Sequence, residues 1–329
     1  MPRDAPSETR PSGALLAAGI AFATAAWVGN FFVGKLGLRT VPPLRLLSFR
    51  LVIAGLVSIP LYLAARESKR GPGEKRTRGE SLRDLWTFFY LGLFGVVLNM
   101  GGYVIGLRYT TVGHSGLITG LGPVFILLMA WAQGLEPVMP QAFIGVILAF
   151  VGAGILSAEH AGQFGHAGTL KGDLFTLAGT LGFALYTVFG KRVAGRYSAT
   201  EMNAYNYFVG AIVFLPYAVY QAVLLTRTRT WGSIEWTGWA AILYMGIISA
   251  VAAYTVYFWA LRYIAASRLG AVSYANPVVT AVLGVWLMHD PVTWNLIAGG
   301  TLVLAGIFTI ETAHRRYAKS QYLRVINSN

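Results

Sequence analysis

The sequence has no cysteine and few charged residues. Of its 329 residues, 12% are charged and 55% are hydrophobic, whereas an ordinary globular domain is about 25% charged. Without cysteine, the chain forms neither a disulfide framework nor a thiolate metal site. It also lacks the GxxxxGK[ST] motif with which many ATP-driven proteins bind phosphate. These absences favour a membrane protein that ATP does not drive.

Ten stretches without Asp, Glu, Lys or Arg follow one another along the chain. A helix of about 20 residues crosses a hydrocarbon core of about 30 Å, and nearly all the stretches approach that length. The second stretch reaches it only by extending back through Arg50 to about Leu46. The stretches are 13–34, 51–65, 85–107, 109–135, 137–158, 174–190, 202–226, 236–261, 269–289 and 291–310. The sequence therefore predicts an all-α, polytopic membrane protein of ten transmembrane helices.

The basic residues are divided unequally between the two sides that these helices define. With a cytoplasmic N-terminus, 18 Lys and Arg residues lie on the inner side and 7 on the outer side. Such an inner excess is typical of membrane proteins. We therefore predict two cytoplasmic tails, 1–12 and 313–329. The net charge of +13 then orients the chain in a lipid bilayer, and no nucleic-acid partner is expected.

The chain repeats itself at a nearly constant offset. Residues 106–125 read GLRYTTVGHSGLITGLGPVF, and residues 260–279, at an offset of 154, read ALRYIAASRLGAVSYANPVV. Five helices form one unit, so the second copy must enter the membrane from the opposite side. The sequence predicts two inverted repeats, 13–158 and 171–312, joined by an outer linker at 159–170. Many secondary transporters use this symmetry; a duplicated scaffold or channel stays the alternative.

Glycines and prolines recur at matching places of the fourth and ninth helices. Pro123 and Pro277 each remove a backbone hydrogen bond and predict a kink. Gly116 and Gly270 allow neighbouring backbones to approach closely. We predict that these four residues form hinges or gates; static kinks that serve only packing are an equal alternative.

Several of these motifs together carry a family resemblance. They are LSFRLVIAGL around Arg50, LRYTTVGHSGLITGLGPVF, the turns Glu136-Pro137 and Asp290-Pro291, and Gly172-Asp173 at the start of the sixth helix. Over about residues 13–312 the chain resembles the EamA-type exporters of the drug/metabolite transporter superfamily, and most of all the YddG-type exporters of aromatic amino acids. The resemblance implies alternating-access export of small organic solutes across the inner membrane, through a central cavity lined by both halves. A monomer is compatible with this arrangement.

A transporter of this kind needs a few polar groups among aromatic walls at mid-membrane depth. The candidate substrate-binding residues are Trp27, Asn30, Asn99, Tyr103, His114, Tyr186, Tyr254, Tyr257, Tyr274 and Asn276. Each aromatic residue is equally compatible with interface anchoring or helix packing, and each of the first two asparagines with a bond between helices. His114 lies near the outer end of its helix, which favours a gate or packing role.

Charged residues inside the predicted helices are scarce. Arg50 could attract a substrate carboxylate, but a structural role by snorkelling or by bonding a backbone carbonyl is favoured. Asn206 takes its place in the second repeat. The acids Asp173, Glu201, Glu136, Asp290 and Glu311 all lie at or near helix ends, so none is available centrally as a proton relay. This predicts facilitated export down the solute gradient, or else coupling through a group that the sequence does not identify.

No cofactor, metal or enzymatic site is expected. The sequence offers no acid pair and no Ser-His-Asp set in register at depth, and two histidines in the outer loop have no third ligand nearby. The leading interpretation is a secondary exporter of neutral, especially aromatic, amino acids. An exporter of another drug or metabolite is the alternative, and a channel is less favoured.

Overall fold

The computed structural model describes residues 11–68, 78–132, 139–158, 170–190, 199–261 and 275–327. Within these ranges the secondary structure is helical throughout, and no strand occurs. In the first half the helices are α1 (Gly13–Thr40), α2 (Pro43–Ser68), α3 (Arg78–Gly92), the π-helical segment π1 (Leu93–Leu98), α4 (Asn99–Tyr109), α5 (Val112–Thr119), α6 (Gly122–Ala132) and α7 (Pro140–Ala158). The predicted all-α class is confirmed.

The second half follows the same order. Its helices are α8 (Leu170–Gly190), α9 (Ala199–Arg227), a short 3₁₀ turn (Trp231–Ser233), α10 (Trp236–Leu243), the π-helical segment π2 (Tyr244–Ala252), α11 (Ala253–Leu261), α12 (Ala275–Met288) and α13 (Trp294–Asn327). In the described part of the chain, nine helical stretches are long and apolar enough to cross a membrane, and Asn276–Met288 is a shorter apolar helix. These ten stretches correspond to the ten predicted helices.

The bundle surface is that of a multi-pass membrane protein. Below, the N end is the end of the bundle at which α1 begins, and the far end is the opposite one. Large apolar side chains such as Ile212 face outward. Trp236 and Trp294, which open α10 and α13 at the far end, are 78% and 77% exposed, and Trp86 is exposed towards the N end. Exposed tryptophans at both ends are typical of the two interfaces of a bilayer.

The crossing of α7 and α13 displays the inversion of the repeats. A Cβ atom on Gly152 would lie 2.6 Å from the carbonyl oxygen of Gly299, and one on Gly145 would lie 2.7 Å from that of Gly306. Residue numbers therefore rise along one helix as they fall along the other. Under the 154-residue offset, Gly145 corresponds to Gly299 and Gly152 to Gly306. Each glycine thus packs on the counterpart of the other, as an in-plane two-fold axis requires.

The two halves interlock along their other shared helix pairs in the same antiparallel sense. At the far end, Arg45 Nε donates a 2.8 Å hydrogen bond to Gln221 Oε1. At the opposite end of the same pair, α2 and α9, the hydroxyls of Tyr62 and Tyr205 lie 3.0 Å apart. Between α4 and α8, a Cβ on Gly102 would lie 2.6 Å from the carbonyl oxygen of Phe175. Small residues at these crossings permit the close backbone contact that drives helix association in lipid.

The fourth transmembrane stretch is interrupted where a kink was predicted. Helix α5 ends at Thr119, and α6 begins at Gly122 with Pro123 as its second residue. Pro277 is the third residue of α12. Its ring packs closely against Gly120, the residue that follows α5: a Cβ atom on Gly120 would lie 2.7 Å from the ring. Gly116 packs equally closely on Thr280. Gly116 and Pro277, two of the predicted hinge residues, therefore each contact the other half; bending at the predicted hinges stays a prediction, and Gly270 lies outside the described residues.

Candidate functional site

A pocket lies between the two inverted halves and is called the chamber below. Its cavity volume is about 20 Å³, room for about one water molecule in this conformation, so a larger solute requires the walls to separate. Its lining residues are Gly95, Val96, Asn99 and Met100 from the first half and Phe183, Tyr186, Asn203, Asn206, Tyr207 and Tyr254 from the second. Aromatic walls with a few amides are typical of sites for small organic ligands.

One π-helical segment lines the chamber, and the other directly precedes a helix that lines it. A π turn inserts one extra residue into a helix and is frequent at functional sites. Segment π1 contributes Gly95, whose missing side chain leaves room for Tyr186: a Cβ there would lie 2.9 Å from the Tyr186 ring. Segment π2 occupies the matching helix of the second half and leads directly into α11, which carries Tyr254. The sequence analysis did not predict either segment, because nothing in residue type distinguishes a π turn from an α turn.

Five of the ten predicted site residues lie in or beside the chamber. Asn99, Tyr186 and Tyr254 line it. Trp27 packs edge-on against Tyr254, with ring centroids 5.1 Å apart. Tyr103 packs edge-on against Phe31 at the same centroid distance and interacts electrostatically with the Arg50 guanidinium.

Of the three predicted asparagines, one bonds a neighbouring helix, and two have a buried side-chain oxygen that accepts no hydrogen bond from the described residues. Asn99 donates from Nδ2 to the carbonyl oxygen of Gly179 at 2.9 Å, which ties α4 to α8. Asn30 lies beside Tyr103, and its buried Oδ1 accepts no hydrogen bond from the described residues. The buried Oδ1 of Asn276 likewise accepts none. The side chain of Tyr257 and the whole of Tyr274 lie outside the described residues.

His114 lies away from the chamber, in a polar cluster at the far end. This far-end network consists of Lys35, Thr110, His114, Asp173 and Asp290. The Thr110 hydroxyl donates a 2.5 Å hydrogen bond to Asp173 Oδ1, and His114 Nδ1 lies 3.5 Å from Asp173 Oδ2 with side chains only 4% and 1% exposed. Asp173 is at a helix end, as the sequence analysis expected, yet it is deeply buried there.

The remaining members of the far-end network bind backbone atoms. Lys35 Nζ donates to the carbonyl oxygens of Leu107, at 2.8 Å, and of Thr110. Asp290 Oδ2 accepts a 2.8 Å hydrogen bond from the Gly113 amide. Burial raises the pKa of the Asp290 carboxyl above its ordinary value, while the Gly113 hydrogen bond and the nearby Lys35 ammonium oppose the rise. The network thus joins α1, the α4–α5 turn, α8 and the α12–α13 connection at the far end.

Arg50 lies in surroundings that the sequence analysis did not predict. Its side chain is 3% exposed, and its Nη2 lies 3.4 Å from the sulfur of Met100. Its Nε and Nη1 have no hydrogen-bond partner in the described part of the chain. It therefore neither snorkels to water nor bonds a backbone carbonyl, which were the two structural roles proposed for it.

Comparison with known proteins agrees with the two-part architecture. The model of the EamA-like transporter family matches the chain twice, at residues 11–158 and 170–312. The chain is 26% identical over 282 residues to an uncharacterized transporter of Archaeoglobus fulgidus, covering 86% of this chain and 92% of that one. It is 25% identical over 296 residues to the uncharacterized transporter YvbV of Bacillus subtilis, covering 89% and 90%.

Two further relatives extend the comparison. The uncharacterized inner membrane transporter YedA of Escherichia coli is 22% identical over 287 residues, covering 85% of each chain. A crystal structure described only as that of a protein superposes with a TM-score of 0.57 at 23% identity, covering 93% of this chain and 99% of that chain. That likeness supports the same fold.

Proposed function

The chain belongs to the EamA-like transporter family, and we propose that it exports neutral amino acids, aromatic ones above all, and related small metabolites. The observation that carries this proposal is the chamber, whose walls come from both inverted halves. In secondary transporters with inverted repeats, the solute binds at such an interface, and each half forms one gate. We place the protein in the inner membrane with both termini in the cytoplasm, so the far end faces outward.

The composition of the chamber supports an amino acid as the solute. Phe183, Tyr186, Tyr207 and Tyr254 present ring faces and edges on which an apolar or aromatic side chain can pack. Asn203 and Asn206 offer amide groups to the polar end of the solute. One chain supplies all of these walls, which supports a monomer as the working unit.

The far-end network supports alternating access. Its hydrogen bonds link α1, α8 and both α4 and α5 across the outward end of the bundle. Under the proposed orientation, it holds the outer gate closed while the solute binds from the cytoplasmic side. Release of the solute then requires these bonds to separate, and the paired residues Gly120 and Pro277 lie where the helices would move.

Counterflow in proteoliposomes tests the proposal. Vesicles containing the purified protein and unlabelled phenylalanine should accumulate external labelled phenylalanine with saturable kinetics. Tyr254→Ala removes a chamber wall and should lower the initial rate by about two- to tenfold, since an aromatic contact contributes about 0.5 to 1.5 kcal/mol. Tyr220→Ala, on the lipid-facing side of α9, is the matched control and should leave the rate unchanged.

Other outcomes of this assay would redirect the proposal. Exchange of a different metabolite without exchange of any neutral amino acid would contradict the solute assignment and keep the transporter. Ion current without saturable solute flux would favour a channel. We also propose that export is uncoupled, so an imposed pH gradient alone should not drive phenylalanine accumulation; marked accumulation would overturn this part.

A further inference from the structure

We propose that the exported solute carries a carboxylate and that the Arg50 guanidinium binds it. This inference rests on the proposed function, since it names the chemical class that the chamber selects. Arg50 is a charged residue that the fold buries. An arginine remains protonated at any physiological pH, and an isolated ion in an apolar environment is strongly unfavourable unless it is paired.

Arg50 makes no ion pair with any described residue. Its hydrogen-bond contact, the sulfur of Met100, is uncharged, and the groups that interact with it electrostatically are the hydroxyls of Tyr103, Tyr207 and Tyr254. A thioether is a weak acceptor, so most of the hydrogen-bonding capacity of this guanidinium is unused. Buried polar groups in native proteins are nearly always satisfied, and an exception calls for an explanation. A ligand that brings the missing acceptor is such an explanation.

The position of Arg50 connects this unused capacity to the chamber. Met100, which contacts the guanidinium, lines the chamber, as do Tyr207 and Tyr254, which interact with it electrostatically. The guanidinium therefore lies directly behind the chamber wall. Its nearest contact there is the unbranched, flexible side chain of Met100, which can change conformation more easily than a branched or aromatic residue.

The chemistry of the guanidinium favours a carboxylate over a single acceptor. A carboxylate binds arginine through two parallel hydrogen bonds, from Nη2 together with either Nε or Nη1. Both pairs of donors include Nη2, the atom that contacts Met100 Sδ in this structure. Because Nη2 carries two N–H groups, bidentate binding would either replace the methionine sulfur or use the N–H that does not face it, and would engage one of the two nitrogens that have no partner. Exchange of a weak acceptor for a charged one is strongly favourable.

The asymmetry between the repeats strengthens the argument. At an offset of 156 residues, the position of Arg50 is occupied in the second repeat by Asn206. Asn206 lines the chamber, and its Oδ1 accepts no hydrogen bond from the described residues. One half thus supplies a cationic donor and the other a neutral acceptor. A solute with a carboxylate and a separate N–H donor, as every amino acid has, matches both.

The test compares phenylalanine with phenylalaninamide, which keeps the ring and the amine but has no carboxylate. Wild-type protein should exchange phenylalanine at least about tenfold faster than the amide, and phenylalanine alone should raise its unfolding temperature. Arg50→Gln should lower phenylalanine exchange by about tenfold or more, the loss expected for a charge-assisted hydrogen bond. Arg50→Lys keeps the charge without the bidentate geometry and should raise KM more than it lowers the maximal rate. Arg227→Gln, an exposed residue outside the chamber, is the matched control.

The outcomes separate this inference from the proposed function. Equal exchange of acid and amide by the wild-type protein would overturn the carboxylate and leave the exporter intact. Exchange of no compound in a panel of neutral amino acids and aromatic carboxylates would overturn both. If Arg50→Gln does not fold, the wild-type unfolding temperatures and Arg50→Lys still decide, because protection by the amide equal to that by phenylalanine contradicts the inference without any variant.

Discussion

Asp173 in the far-end network and Arg50 are both deeply buried, yet their polar atoms differ in the partners that they have. In the network, Asp173 accepts a hydrogen bond from Thr110 and lies beside His114, and Lys35 donates to two carbonyl oxygens. Around Arg50, two donor nitrogens have no partner among the described residues, and the third contacts a sulfur atom.

This difference distinguishes a structural contact from a binding position. A connected polar network strengthens itself in a low-dielectric interior and rigidifies the elements that it joins. An unsatisfied ion in the same interior destabilises the folded state, so it persists where function requires it. We therefore assign the far-end network to closure of the bundle and Arg50 to the solute. Three experiments test this assignment, in descending order of expected effect.

The largest effect is expected from removal of the Asp173 carboxylate. Asp173→Ala leaves the Thr110 hydroxyl without its acceptor and removes the carboxylate beside His114, which should lower the free energy of unfolding by about 1 to 3 kcal/mol. Thermal unfolding of the detergent-solubilised protein measures the change. Asp173→Asn retains an acceptor for Thr110 and should lose less. Unfolding temperatures for the alanine variant that equal those of the parent would show that the network does not stabilise the far end.

An effect of opposite sign is expected at Arg50. Arg50→Met removes a buried charge that has no counterion in the described structure, so the free energy of unfolding should rise, by about 1 kcal/mol. The same unfolding measurement applies, and the stabilisation by phenylalanine should disappear. A decrease of more than about 1 kcal/mol would instead support the structural role that the sequence analysis favoured.

The smallest effect concerns the half-buried carboxyl of Asp290. Burial raises its pKa in the folded protein above the ordinary value of 3.8, so the folded state keeps the proton to a higher pH than the unfolded state does. The unfolding free energy should therefore decrease as pH rises from about 3.8 to the raised pKa, and should change no further above it. Asp290→Asn should lack this decrease. The parent-minus-variant difference across acidic pH measures it, and a difference that grows with pH would contradict the sign.

Much of the architecture was predictable because it depends on local composition. The apolar stretches require membrane helices, and the repeated motifs around Pro123 and Pro277, with an odd number of helices per unit, require inversion. The break before Pro123 was likewise predicted from a single residue type. These features follow from sequence because neither lipid nor proline permits many alternatives.

The site was less predictable because it depends on which side chains meet. Arg50 and Met100 are 50 residues apart, and His114 and Asp173 are 59 apart. The sequence alone therefore does not reveal that two nitrogens of Arg50 have no partner among the described residues. Nor does it reveal that His114 lies beside Asp173. Asn99 was a site candidate by its depth, yet its amide also joins α4 to α8. The π turns beside the chamber carry no residue signature at all.

The antiparallel crossing of α7 and α13 has a consequence for a divided chain. Because each glycine faces the counterpart of the other, one five-helix unit carries both complementary surfaces of this contact. Fragments 1–158 and 170–329 therefore each present what the other requires. A lone fragment also carries the glycine surface on which an oppositely oriented copy of itself would pack. The fused chain and an antiparallel pair of identical halves would therefore bury the same helix contact.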